Sequence, residues 1–149
     1  MEGIKEININ RKAYHDYEIL EKYEAGIVLL GPEIKSIRKG KAQIKEAFIS
    51  FEHHEAYIKG MHIAEYKEAN IFNHDETRIR KLLLNKKEII KLQSKVKLDG
   101  CTVIPLKLYL IKGRAKLEIA LAKGKNLYDK RHDQKIKDMK MAALKATKR

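Results

Sequence analysis

The sequence has little of what disulfide-rich and membrane-spanning proteins need. Its 149 residues include no Trp, one Cys and two Pro. A single Cys excludes an intramolecular disulfide, which suits a reducing cytosol. No apolar run approaches the ~20 residues of a membrane span, and the first residues contain no apolar stretch of signal-peptide length. We therefore expect a soluble cytoplasmic protein without membrane contact.

Acidic residues are scarce near the C-terminus, which makes that part of the chain strongly basic. Between residues 123 and 149, ten Lys or Arg are opposed by three Asp, so this segment carries +7 of the total +13. Such a charge density favours a polyanion, and nucleic acid above all, as the partner. We predict a folded domain over residues 1–122 and a basic tail over residues 123–149 that is disordered in the free protein.

Residues 1–122 show short alternating patterns of β-strands without a βαβ rhythm. This predicts a mainly β protein, a small antiparallel barrel with flanking helices. In residues 102–111 the even-numbered positions from Thr102 to Leu110 are expected to share one face, with Pro105 marking an edge or a bulge. The predicted strands are residues 17–30 (one strand, or two that meet at Gly26), 42–51, 55–63, 102–111 and 114–122.

Two helices are predicted from the residues that begin and end them. Proline suits a first helical position, Asn with Glu three residues later forms a capping box, and Gly ends a helix. The first helix has Pro32, Glu33 and Gly40, and the second has Asn85, Glu88 and Gly100. The positions expected to face inward are Ile34 and Ile37 in the first helix, and Ile89, Leu92 and Val96 in the second.

Five strings, in this order and spacing, resemble the bacterial small protein B (SmpB) family, whose members bind transfer-messenger RNA. The similarity covers nearly all of residues 8–131, and the ordered combination is more specific than any single string. The strings are NRKAYHDY at 10–17, GPEIKSIRKGK at 31–41, RKLLLN at 80–85, CTVIPLKLY at 101–109 and AKGKNLYDKR at 122–131.

The resemblance implies a six-stranded oligonucleotide-binding (OB)-like β-barrel with two to three helices and a flexible tail. It implies binding to the tRNA-like domain of transfer-messenger RNA. The RNA, charged with alanine and bound to elongation factor Tu, would be delivered to stalled ribosomes for trans-translation. The tail is expected to probe the empty mRNA channel beside the small-subunit decoding region. No catalytic activity, cofactor or metal is implied, and we expect a monomer.

The family's RNA-contacting positions can be placed on this sequence. Basic side chains are expected to bind phosphate, His15 to stack or donate, and Leu83 to pack on a base or sugar. Glu24 would accept from a base N–H or a 2′-hydroxyl. The expected RNA-binding residues are Asn10, Arg11, His15, Glu24, Lys35, Arg38, Arg80, Lys81, Leu83, Lys116, Lys123 and Lys125.

In the tail, the residues expected to bind the ribosome are Asp129, Lys130, Arg131, Lys135 and Lys137. Beyond Arg131 the similarity thins. Family tails often have more Arg and sometimes a Trp, whereas this tail is rich in Lys.

The residues alone leave plainer interpretations open. A run of Lys and Arg on a helix is usually a solvated face. Asn10 could be a turn or cap residue, and at least one of Leu82, Leu83 and Leu84 should belong to the core. The function could instead be that of a general ribosomal or RNA-chaperone barrel. An enzyme is a third alternative, such as a ribonuclease that uses His15 or His62.

Four histidines lie in the middle of the chain and raise the question of a metal. They are His53, His54, His62 and His74. Adjacent histidines on a strand point to opposite faces, and no C-x-x-C or H-E-x-x-H spacing occurs. We therefore expect no metal site.

Overall fold

Antiparallel strands make up nearly half of the described part of the chain, residues 3–68 and 73–125 of a computed structural model. The elements are β1 (Ile4–Ile9), α1 (Arg11–Asp16), β2 (Tyr17–Ile27), α2 (Gly31–Arg38), β3 (Ala42–Gln43), β4 (Phe48–Glu52), β5 (Glu55–Lys59), β6 (His62–Ile63), β7 (Arg80–Leu83), α3 (Lys86–Asp99), β8 (Thr102–Ile111) and β9 (Arg114–Gly124).

Seven of these strands form one antiparallel sheet in the order β1-β8-β9-β2-β7-β5-β4, and β3 pairs with β6. The strand β4, at one end of this order, lies close to β8 near the other end, so the sheet curves around a shared core. The predicted mainly β, antiparallel class with flanking helices is confirmed. The described strands outnumber the expected six, partly because β1 and β7 were not recognised as strands in the sequence.

A bulge in β8 divides its apolar side chains between two cores. The register of the β8–β9 ladder shifts between Pro105 and Lys107, as the proline suggested. Side chains before and after the bulge therefore do not keep one alternation. Val103 and Leu108 enter the main core inside the sheet, whereas Ile104 and Leu106 lie in a second cluster with Ala13 of α1. The prediction that Ile104 and Leu106 share a face with Leu108 is wrong.

The ends of α2 and α3 follow the predicted signals. In α3 the Asn85 side chain accepts from the Glu88 N–H at 2.9 Å, and Gly100 takes the left-handed conformation with φ of 68°. Ile37, Ile89 and Leu92 are buried as expected. The prediction that Val96 faces inward is wrong. It is 36% exposed because the last turn of α3 extends beyond the core.

The last strand continues beyond the predicted boundary at residue 122. Gly124 pairs with Tyr17, and the Lys125 N–H donates to the Asp16 carbonyl at 2.8 Å. The boundary thus falls inside β9. The predictions for the tail after Lys125 lie outside the described residues and stay predictions.

Candidate RNA interface

Several predicted site residues lie on the outward side of the strands β8, β9, β2 and β7, here called the outer face. In antiparallel ladders, residues directly opposite each other point to the same side of the sheet. One cross-strand row runs Tyr109–Lys116–Gly26–Leu83. A neighbouring row runs Lys107–Glu118–Glu24. Lys116, Leu83 and Glu24 are far apart in the sequence and are thus neighbours on the sheet.

Gly26 gives Leu83 its place on the outer face. A Cβ atom at Gly26 would lie 3.3 Å from the Leu83 Cβ and 3.4 Å from its Cδ1. The missing side chain is therefore what lets Leu83 pack against β2. Leu83 is still 53% exposed, whereas Leu82 beside it on the chain is in the core. The prediction that at least one of the three leucines is buried is confirmed.

Arg38 joins this surface through an open groove of about 410 Å³, which it lines together with Leu83 and Lys116. Its Nη2 atom donates to the Gly113 carbonyl at 3.0 Å in the β8–β9 turn, and the side chain remains exposed. Lys35 turns elsewhere, with its Nζ atom 5.6 Å from the centre of the Tyr66 ring. The structure therefore brings Arg38, and not Lys35, to the groove.

The Glu24 carboxylate is held by a tyrosine from a strand that is not its neighbour. The Tyr109 hydroxyl donates to Glu24 Oε2 at 2.6 Å. Burial, and then the hydrogen bond and charge of Glu24, raise the pKa of Tyr109, so the phenol stays a donor at neutral pH. Glu24 itself is exposed. An anchored and exposed carboxylate is suited to accept hydrogen bonds from a ligand.

The short helix α1 covers another part of the outer face. Its Ala13 packs with Leu106 and Ala120. Arg11 and His15 are exposed on this helix, and His15 Nδ1 lies 2.8 Å from Asp16 Oδ1. The exposed residues Lys123 and Lys125 lie at the end of β9, where Lys125 Nζ donates to the Tyr14 carbonyl at 2.9 Å. These four side chains lie away from the groove, around α1 and the end of β9.

Asn10 caps the N-terminus of α1, which is one of the two roles that its sequence context allowed. Its Oδ1 accepts from the Ala13 N–H at 3.2 Å, and its Nδ2 donates to the Pro105 carbonyl at 3.0 Å. The residue is 7% exposed. Both of its polar atoms thus begin α1 and fasten it to β8, and a contact of Asn10 with RNA stays a prediction.

The expected phosphate contact of Arg80 does not fit the structure, because this side chain is fully buried. Its Nε donates to Glu33 Oε2 at 2.8 Å and its Nη1 to the Met61 carbonyl at 2.8 Å. Arg78 contacts the same carboxylate. A buried guanidinium bound in this way cannot reach a phosphate, so its role is to connect β7 with α2 and the segment before β7.

Glu33, predicted only as a favourable residue at the start of α2, is the centre of this buried cluster. Its Oε1 accepts from the Leu30 N–H at 2.8 Å. Burial acts to raise the pKa of Glu33. Hydrogen bonds from Arg78 and the Leu30 N–H, with the charge of Arg80, outweigh burial and lower this pKa below its usual value. The carboxylate is thus ionised and structural.

Lys81 follows Arg80 on β7 but lies at the surface. It is two residues from Leu83 and so on the same side of the strand. Its Nζ atom is 3.4 Å from Glu55 Oε1, and 41% of its side chain remains exposed. Lys81 therefore extends the basic outer face beyond Leu83. The predicted tail contacts Asp129, Lys130, Arg131, Lys135 and Lys137 lie outside the described residues.

Three outer-face residues were not recognised from the sequence as parts of a site. They are Tyr109, Lys107 and Glu118. Glu118 lies directly opposite Glu24, and Tyr109 lies opposite Lys116. Alternation within the predicted strand 114–122 places Lys116 and Glu118 on the same side. The contact between Tyr109 and Glu24 could not be predicted in this way, because it depends on the strand order.

The histidines are distributed among separate contacts. His62 Nε2 lies 2.9 Å from Glu76 Oε1, and His74 Nε2 lies 2.8 Å from the Ile63 carbonyl. Across residues 3–68 and 73–125, no three His, Cys, Asp or Glu residues are grouped as metal ligands would be. None of the helices in that part of the chain has the length and apolarity of a membrane span.

Comparison with known proteins agrees with this architecture. The profile of the family described as SmpB protein matches residues 7–149. An SsrA-binding protein of Sulfurihydrogenibium sp. (strain YO3AOP1) is 55% identical over 144 residues, which cover 97% of this chain and 95% of the relative. An SsrA-binding protein of Persephonella marina is 51% identical over 146 residues, 98% of this chain and 96% of the relative.

A solved structure reported as "tmRNA-SmpB: a journey to the center of the bacterial ribosome" has a similar fold. It superimposes with a TM-score of 0.65 at 48% sequence identity, and covers 78% of this chain and 82% of its own. Since the family profile spans nearly the whole sequence and relatives exceed 50% identity, this chain belongs to the SmpB protein family.

Proposed function

We propose that the chain binds the tRNA-like domain of transfer-messenger RNA through its outer face and delivers this RNA to stalled ribosomes. It is an RNA-binding protein and not an enzyme. The observation that carries the proposal is the cross-strand row that contains the exposed Leu83, Gly26 and Lys116. Glu24 lies in the neighbouring row on the same face. This surface combines apolar, cationic and acceptor groups.

Each group suits one component of a folded RNA. Lys116 and Arg38 flank the groove and can contact successive phosphates, with the Arg38 fork adding directional donors. Leu83 can pack on an unstacked base or a ribose. Glu24 repels phosphate, so its value is to accept from a base N–H or a 2′-hydroxyl. Together these groups favour a particular RNA shape over a generic polyanion.

The rescue role assigns a second task to the basic tail. We propose that the RNA arrives charged with alanine and bound to elongation factor Tu. Residues after Lys125 would then enter the vacant mRNA channel near the decoding region. The support is the +7 charge of residues 123–149, which attracts a channel lined with ribosomal RNA, and the names of the relatives. We expect a cytoplasmic monomer.

Competition binding tests the RNA partner. Labelled transfer-messenger RNA bound to the full chain is challenged with unlabelled copies of itself or with an unrelated structured RNA of equal length. We expect the cognate competitor to displace the label at a much lower concentration. Equal displacement by both competitors would indicate a general RNA-chaperone barrel. Cleavage of the labelled RNA during prolonged incubation would indicate a ribonuclease.

A truncation after Lys125 separates the two tasks. This cut keeps β9 complete, including the Tyr17–Gly124 pair. We expect the shortened protein to bind isolated transfer-messenger RNA within a few-fold of the full chain and to lose peptide tagging on stalled ribosomes in a purified translation system. Normal tagging by the shortened protein would contradict the proposed role of the tail.

A further inference from the structure

Tyr109 contributes to the outer face although its side chain is nearly inaccessible. The residue is 8% exposed, so an RNA can touch little of it directly. It lies on β8, and β9 separates it from the strand that carries Glu24. Its hydroxyl crosses this distance to donate to Glu24 Oε2 at 2.6 Å. The shortness of the contact is typical of a hydrogen bond to a charged acceptor.

Glu24 needs such an anchor because of its neighbours. It lies directly opposite Glu118 in the β2–β9 ladder, and like charges in this position repel. A free glutamate side chain at the surface samples many rotamers. Within the described residues, the Tyr109 hydroxyl is the hydrogen-bond partner of the Glu24 carboxylate. The bond uses Oε2 and leaves Oε1 available.

We propose that Tyr109 is a positioning residue for RNA recognition, whose hydroxyl fixes the Glu24 carboxylate so that Oε1 accepts from an RNA donor group. This inference rests on the proposed function. Because the carboxylate is already ordered before binding, RNA binding loses less side-chain entropy. The raised pKa of Tyr109 keeps the hydroxyl protonated, and hence a donor, under the conditions of binding.

The test compares Tyr109→Phe, Glu24→Ala and the double variant in the full chain, by their dissociation constants for transfer-messenger RNA at one salt concentration. Tyr23→Phe is the matched control, because the Tyr23 hydroxyl also donates to a β2 glutamate, Glu21, which lies two residues before it. We expect Tyr109→Phe to weaken binding roughly three- to tenfold. Tyr23→Phe should bind as the wild type does.

The double variant separates positioning from a general structural role. If Tyr109 acts through Glu24, adding Tyr109→Phe to Glu24→Ala should weaken binding no further. Glu24→Asp, which withdraws the carboxylate by one methylene, should reproduce the loss seen in Tyr109→Phe without altering the tyrosine. The thermal unfolding midpoint of each variant shows whether it is folded at the binding temperature.

The proposal would be overturned if the losses of affinity in the double variant were additive. It would also be overturned if Glu24→Ala weakened binding while Tyr109→Phe or Glu24→Asp left it unchanged. Those results would not affect the proposal that the chain binds transfer-messenger RNA. A wild-type chain that does not prefer transfer-messenger RNA over the unrelated RNA would instead refute the proposed function itself.

Discussion

Arg80→Ala should destabilise the fold strongly and leave RNA recognition unchanged. The side chain is fully buried, and its Nη2 also lies 3.2 Å from the Glu76 carbonyl. Its removal leaves the Glu33 carboxylate, itself 0% exposed, with one guanidinium partner where it had two. The same substitution removes a donor from the Met61 carbonyl and from the part-buried carbonyls of Asp75 and Glu76.

The magnitude follows from the cost of an incompletely paired buried charge. Breaking a buried ion pair by removing one partner costs about 3–5 kcal/mol. Because Arg78 still contacts Glu33, we expect the lower end, about 3 kcal/mol. With a urea dependence of about 1–3 kcal/mol per molar for a domain of this size, the unfolding midpoint should fall by roughly 1–3 M.

Urea unfolding followed by circular dichroism measures this loss, and Lys81→Ala is the control. Lys81 is the next residue, but it is at the surface, with Glu55 3.4 Å from its Nζ atom. Its removal should change the free energy of unfolding by less than about 0.5–1 kcal/mol while weakening RNA binding. Wild-type stability of Arg80→Ala combined with weaker RNA binding would refute the structural role given to Arg80.

Three further outcomes are expected. Because the pKa of Glu33 is lower when folded than when unfolded, its stabilising contribution is complete above about pH 4.5 and is lost on acidification. The stability gap between wild type and Glu33→Gln in urea unfolding should therefore shrink below about pH 4. Gly26→Ala should displace Leu83, seen as shifted methyl resonances, and weaken RNA binding while the chain stays folded. The affinity for transfer-messenger RNA should fall steeply with salt, and Lys116→Ala should reduce the slope of log K against log salt by about 1. Unchanged methyl resonances in Gly26→Ala would contradict the packing of Leu83 against Gly26. An unchanged slope in Lys116→Ala would contradict the contact of Lys116 with a phosphate.

Local chemistry explains which parts of the fold could be predicted from the sequence. The capping box at Asn85 and Glu88 and the stop at Gly100 act within a few residues, so their sequence signals were sufficient. The face of β8 could not be assigned in the same way. Pro105 indicated a bulge, but the bulge moved Ile104 and Leu106 to a second core that only the position of α1 creates.

The site shows the same division between local and long-range information. Lys116 and Arg38 were predicted as surface cations and are surface cations. Arg80 has the same side-chain chemistry and a neighbouring leucine run, yet its partner is Glu33, 47 residues away. Neither charge nor spacing along the chain distinguishes a paired buried arginine from a free one. The same holds for Tyr109, which meets Glu24 only because β8, β9 and β2 are adjacent.

The central claim is that the outer face is the surface covered by RNA. Lysine acylation with mass-spectrometric readout, with and without transfer-messenger RNA, tests it most directly. Lys116 and Lys81 should lose reactivity when the RNA is bound. Lys95 and Lys97 lie on α3, which packs against the inner core through Leu92, and should react as before. Protection of the α3 lysines with continued reactivity of Lys116 would contradict the account.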